Sequence, residues 1–211
     1  MNAGLVHVVD DEPEVREALT MLLEAAGYTV CAHADAESFL AGLNTASPAC
    51  VVSDMRMPGM SGLDLLRVLQ DRRSDMALIV ITGHADVGMA VQALKEGAAD
   101  FIEKPFDDSI FLKSVRDAVG RAERAFAERH RRAETESRVA ALTPREREVM
   151  ALVVQGLANK AAAQELGISV RTVEIHRARV MDKMGAESLS ALVRMALELE
   201  ELGDGMRARQ A

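Results

Sequence analysis

The chain reads as two folds in series: an α/β unit with a doubly wound, five-stranded parallel sheet, then a small all-α unit. Three observations predict this. Over residues 1–106, short apolar and β-branched runs alternate with amphipathic helical stretches. From Thr143 onward the apolar residues recur only at helical spacing, with Gly156, Gly167, Gly185 and Gly203 marking the ends of segments. Between the two, "AERHRRAETESRVAA" is dense in charge and alanine and lacks Gly and Pro, the composition of a solvated, semi-rigid helical spacer.

The strands in order are "LVHVV" (5–9), "YTVCA" (28–32), "ACVVS" (49–53), "ALIVIT" (77–82) and "DFIE" (100–103). Their near-continuous apolar character is that of strands buried on both faces. The first helix opens at Pro13, a favourable first helical residue, carries apolar Val15, Ala18, Leu19, Leu22 and Leu23, and stops at Gly27. Another runs from about Asp86 to Glu96 and ends at Gly97. A helix from about Asp107, with Ile110, Leu112, Val115, Val119, Ala122 and Phe126 on its apolar stripe, runs on into the charged spacer. The second unit opens on Thr143-Pro144-Arg145-Glu146, a capping box with proline at the first helical position. The boundaries expected are 1–121 for the first unit, 122–141 for the helical linker and 142–203 for the helical unit, with a disordered tail from 204 to 211.

The net charge of −8 is unevenly spread. Residues 1–124 hold 20 acidic and 11 basic side chains, and the remainder 13 and 14. An acidic first unit argues against nucleic-acid binding there and leaves it open for the second. Cys31 and Cys50 lie in strand-like runs and read as buried, reduced thiols. The N-terminus lacks a basic stretch followed by an apolar one, and no run approaches membrane-spanning length, so a cytoplasmic protein without membrane contact is expected.

A sheet of this kind binds ligands beyond the C-terminal ends of its strands. Asp10 and Asp11 follow the first strand, Asp54 the third, Thr82 closes the fourth, and Lys104-Pro105 follow the fifth. Singly, each has a plainer reading: an N-cap, a turn-starting acid, a β-former, a turn. Their joint occurrence at four strand ends outweighs those readings. Converging carboxylates repel one another and favour a hard divalent cation, and Mg²⁺ takes oxygen ligands while keeping water. A carboxylate nucleophile, Mg²⁺, a lysine and a hydroxyl are the components of phosphoryl transfer through an aspartyl-phosphate.

Residues 1–120 resemble a response-regulator receiver domain, through "DDE" (10–12), "SDMRMPGMSGLDLL" (53–66), "ITGH" (81–84) and "DFIEKPF" (100–106). The resemblance implies a flavodoxin-like sheet of order 2-1-3-4-5 and Asp54 as phospho-acceptor. It implies Mg²⁺ bound by Asp11, Asp54 and the carbonyl of Arg56, with Asp10 placing a metal-bound water. Lys104 then pairs with the phosphoryl group, and Thr82 bonds it and couples to Phe101 as switch residue. Arg56 and His84 flank the phosphoryl position. Val91, Lys95 and Arg116 fall on the implied dimer face. The rival reading, a Mg²⁺-dependent phosphatase, expects a second acid two residues after the nucleophile. Arg56 stands there instead, and no cap insertion forms a substrate pocket. No enzyme activity is expected beyond Mg²⁺-dependent phosphoryl acceptance and autodephosphorylation.

In the helical unit, "NKAAAQELGISVRTVEIHRARVMDKMG" (159–185) reads as helix, tight turn at Gly167 and second helix. Val173, Val180 and Met184 form an inward stripe, with His176 near its edge, and Arg171, Glu174, Ile175 and Ala178 a separate outward face. Arg177, Arg179 and Lys183 flank that face, where phosphates would lie. Residues 142–200 resemble the LuxR/NarL-type DNA-binding domain, which implies that the helix starting near Val170 reads DNA, with Glu174, Ile175 and Ala178 toward bases and Thr172 and Lys183 on the backbone. Relatives often carry basic residues where Glu174 and Ala178 stand. Together the two units most resemble the FixJ subfamily of two-component response regulators. The partners implied are a sensor histidine kinase, promoter DNA and a second phosphorylated copy, with RNA polymerase admitted as a further one.

Overall fold

Strands β1 (Leu5–Val9), β2 (Thr29–His33), β3 (Cys50–Asp54), β4 (Ala77–Thr82) and β5 (Asp100–Glu103) form one parallel sheet in the order β2-β1-β3-β4-β5. The structure is a computed structural model and describes residues 4–43, 47–83 and 87–208. His84 and Asp86 lie outside the described residues. Helices α1 (Pro13–Ala25), α2 (Ala36–Ala41), α3 (Gly62–Asp71), α4 (Val87–Lys95) and α5 (Asp108–Ala140) alternate with the strands. The chain divides into two units, Met1–Ala127 and Glu128–Ala211.

The pleat sends alternate residues to opposite faces of the sheet. Val6 and Val8 of β1, Cys50 and Val52 of β3, and Ile79 and Ile81 of β4 meet Leu19 and Leu23 of α1 and Phe111, Val115 and Val119 of α5. Val9, Val51, Leu78 and Val80 point the other way, onto Phe39 of α2, Leu65, Leu66 and Leu69 of α3, and Ala93 of α4. The three inner strands are buried as expected. β2 is not: it is an edge strand, and of its residues only Val30 and His33 are even half-covered. Cys31 is accordingly exposed, contrary to the reading of both cysteines as buried, while Cys50 at the sheet centre is buried and its thiol is pushed up by burial.

Beneath α2, His7 of β1 is buried and shares a hydrogen bond of 3.1 Å between its Nδ1 and Nε2 of His33. Phe39 meets both rings edge-on at 5.1 and 5.3 Å. Loss of solvent, and then the neighbouring charge of His33, hold the His7 pKa down to about 4. A histidine lowered from 6.5 on folding contributes stability that is present above that pH and is lost as pH falls toward about 4. The first unit should therefore lose melting temperature across this window, and His7→Leu should flatten the dependence. Parallel melts of the two proteins with the same slope from pH 7 to 4 would contradict the assignment.

In the second unit, α6 (Pro144–Val154), α7 (Asn159–Leu166), α8 (Val170–Met184) and α9 (Leu189–Ala208) enclose Leu142, Val149, Val153, Ala162, Val173, Val180, Met184 and Leu192. The Thr143–Glu146 capping box forms in both directions. α9 runs to Ala208, past Gly203, where the domain was expected to end and a tail to begin; a glycine in a helix interior costs only about 1 kcal/mol. The charged spacer is helical as expected, but Thr135 is buried and Val139 packs on the second core, so this stretch is not wholly solvated.

Candidate functional site: an acidic strand mouth and an exposed helix

Asp54 is the last residue of β3, and its side chain is buried with only 11% of its surface exposed. Asp10, just beyond β1, is fully buried. Between them lies the ammonium of Lys104, which donates to Asp54 Oδ1 at 2.8 Å and to Asp10 Oδ2 at 3.0 Å. The other carboxylate oxygen of Asp54 accepts the backbone N–H of Arg56 at 2.7 Å. Burial alone lowers the Lys104 pKa, but its bonds to Asp54 and Asp10 and their charges outweigh this and raise it, so it stays cationic.

The strand mouths are stitched together by the backbone. The N–H of Met55 donates to the carbonyl of Ile81 at 2.8 Å, and that of Lys104 to the carbonyl of Thr82 at 2.7 Å. Thr82 is buried at the end of β4. It pairs in register with Glu103, and Val80 with Phe101, so Thr82 and Phe101 lie on the same face of the sheet. Phe101 is half-buried against the core on that face. A role for Gly62 was not evident from the sequence. A Cβ there would lie 2.5 Å from the carbonyl oxygen of Asp54, so only glycine lets α3 start so close behind the acid. Ser61 caps that helix with Asp64 in a capping box, which was not read from the sequence although the two lie three residues apart.

Among the described residues no three His, Cys, Asp or Glu side chains are gathered closely enough to hold a metal ion. The reason is visible: Lys104 spans Asp10 and Asp54, while Asp11 is exposed and lines a depression with Ala34, Asp35, Glu37, Pro58 and Gly59. The donor chemistry nevertheless fits Mg²⁺. Asp10, Asp11 and Asp54 carry three negative charges against the one positive charge of Lys104, all from hard oxygen donors.

In the second unit the turn at Gly167 is left-handed (φ +66), and Ser169 caps α8 by accepting from the N–H of Thr172 at 3.1 Å. Val173, Val180 and Met184 are buried, while Arg171, Glu174, Ile175, Ala178 and Arg179 are exposed and Thr172 is half-covered. Ile175 leaves 46% of its surface open on this face. Arg177 is half-covered and donates to Asn159 Oδ1 at 3.1 Å, bracing α7 against α8. Lys183 departs from the expectation of a phosphate contact. Its ammonium pairs with the buried Glu146 at 2.7 Å and donates to the carbonyl of Ala141 at 3.2 Å. The sequence revealed Glu146 as a capping residue but gave no sign that its charge would be enclosed and need a cation. On the first unit, Val91, Lys95 and Arg116 are all exposed, with Leu94 50% exposed beside the first two.

A family model described as "Response regulator receiver domain" matches residues 6–116, and one described as "Bacterial regulatory proteins, luxR family" matches residues 140–196. The chain belongs to the two-component response regulators. This response regulator is 52% identical over 192 residues to the transcriptional regulatory protein FixJ of Azorhizobium caulinodans, covering 91% of each chain. The solved structure of the response regulator StyR matches with a TM-score of 0.85 at 37% identity, over 92% of this chain and 98% of that one. Full-length FixJ from B. japonicum matches with a TM-score of 0.57 at 44% identity, over 94% and 98%. The response regulator thus pairs a receiver with a LuxR-type DNA-binding domain, as in the FixJ proteins it resembles. No described helix is long and apolar enough to cross a membrane.

Proposed function

We propose that this response regulator accepts a phosphoryl group on Asp54 from a sensor histidine kinase, dimerises through its α4–β5–α5 face, and binds promoter DNA through α8. The reading is carried by the convergence of Asp54, Asp10 and Lys104 at the strand mouths of the unit that carries the receiver match. A carboxylate oxygen of Asp54 attacks phosphorus, the bond from phosphorus to the kinase imidazole breaks, and the imidazole leaves with the electron pair and takes up a proton. Lys104 holds the attacking carboxylate in place and offers its positive charge to the incoming phosphoryl oxygens. Asp10, Asp11, Asp54 and the carbonyl of Arg56 would hold Mg²⁺, which supplies charge neutralisation to the transferring group.

Phosphoryl charge then biases a two-state element in which Thr82 and Phe101 move together, changing the face that carries Val91, Lys95 and Arg116. Two linked copies of α8 bind paired half-sites, and the affinity gain comes from joining two weak contacts. Arg171, Glu174, Ile175 and Ala178 face base edges, and Thr172, Arg177 and Arg179 lie toward phosphates. Selection from a random duplex pool, with and without acetyl phosphate and Mg²⁺, is the test. Enriched duplexes should contain paired half-sites and bind more tightly in the phosphorylated sample. Failure to enrich any duplex, or indifference to acetyl phosphate, would overturn the reading.

A further inference from the structure

The last turn of α8 is held from two directions by the end of α5 and the segment that follows it. Arg138 of α5 donates from Nη1 to the carbonyl oxygen of Met184, the final residue of α8, at 2.7 Å. Its Nη2 pairs with Glu134, one turn back, at 2.6 Å, which fixes the guanidinium. From the other side Lys183 donates to the carbonyl of Ala141 and to Glu146. Gly185, left-handed at φ +60, keeps the space open, since a Cβ there would lie 2.7 Å from Nη1 of Arg138. The carbonyl of Met184 is among those a helix leaves unbonded at its negative end, where a cation is favoured. Arg138 lies outside the residues 140–196 that match the DNA-binding family model, yet it belongs to the same compact unit.

We propose that Arg138 is a positioning residue for DNA reading: it fixes the angle of α8 and so the placement of side chains on base edges. This rests on α8 being the DNA-reading helix. From Glu174 to Met184 the helix rises about 15 Å, so a tilt of about 10° at its last turn moves the reading face by roughly 2.5 Å. A hydrogen bond to a base edge does not survive such a shift, because the useful range of N–H···O distances is only about 0.5 Å wide. Contacts between long basic side chains and phosphates do survive it. Sequence-specific affinity therefore depends on Arg138, and non-specific affinity does not.

The experiment uses the full chain. A duplex selected from a random pool by the wild-type protein and an unrelated duplex of equal length are titrated against wild type, Arg138→Met and Arg138→Lys. Arg138→Met keeps the aliphatic stem and should lose about tenfold on the selected duplex, the scale of one base contact, with the unrelated duplex and the salt slope unchanged. Arg138→Lys, which keeps a cation beside Met184, should recover part of the loss. Melting of each variant accompanies the titration, and a folded Arg138→Met that binds the selected duplex like wild type overturns the proposal. So does an equal loss on both duplexes with a salt slope smaller by about one, which marks a phosphate contact. If Arg138→Met melts early, Arg138→Lys decides alone: with wild-type stability it must still show a reduced ratio of specific to non-specific binding, or the proposal falls. If wild type selects no duplex, the DNA-binding function itself fails and the positioning role falls with it, whereas a wild type that selects and a variant that matches it overturn only the latter.

Discussion

Asp54→Asn is expected to abolish acyl-phosphate formation outright. The substitution keeps the shape of the side chain and leaves Lys104 its second partner, Asp10, so the pocket should stay folded. An amide oxygen lacks the charge and nucleophilicity of the carboxylate and cannot form the acyl phosphate. Incubation with radiolabelled acetyl phosphate and Mg²⁺ should label wild type with a hydroxylamine-sensitive bond and leave the variant unlabelled. The acetyl-phosphate-driven increases in dimer and in DNA affinity should disappear with it. A variant that still dimerises in response to acetyl phosphate sinks the assignment of Asp54.

Lys183→Met should destabilise the second unit before it does anything to DNA. Glu146 is almost fully buried, and its carboxyl is held down to about 2 by the hydrogen bond from Lys183 and then by the N–H of Thr143. A carboxyl lowered from 4.5 contributes stability that is present above that pH and is lost as pH falls toward about 2. Removing Lys183 leaves a buried carboxylate without its cation, so the loss should begin at higher pH and already lower the melting temperature at neutral pH. A fall of more than about 5 °C is expected, given that about 1 kcal/mol moves a domain of this size by roughly 4–8 °C. An unchanged melting temperature with a weaker salt dependence of DNA binding would instead restore Lys183 as a phosphate contact.

How much of this was legible in the chain depends on the range of the interaction involved. The parallel sheet followed from runs of β-branched residues with helices between them, and the strand-mouth site from the polar residues at four strand ends, because both are set by local pattern and by a topological rule. The Thr143 cap was readable for the same reason: partner and donor are three residues apart. What was hidden lies between residues distant in sequence. Lys183 and Glu146 are 37 residues apart, and Arg138 and Met184 are 46 apart. Nothing in the spacing around Lys183 distinguishes a lysine reserved for a buried acid from one facing phosphate. The exposure of Cys31 was missed because an apolar run looks alike on an inner and an edge strand, and strand order emerges only when the sheet assembles.

The contrast between the two cysteines has a practical use. Cys50 is sealed in the centre of the sheet and Cys31 stands open on its rim. A maleimide dye added to the native protein should therefore attach at one position, on a strand flanking β1, without any engineering. The same accessibility sets a trap for sizing experiments. Without reductant, two molecules can be joined through Cys31, and such a covalent pair imitates the phosphorylation-dependent dimer unless a Cys31→Ser protein is run beside it.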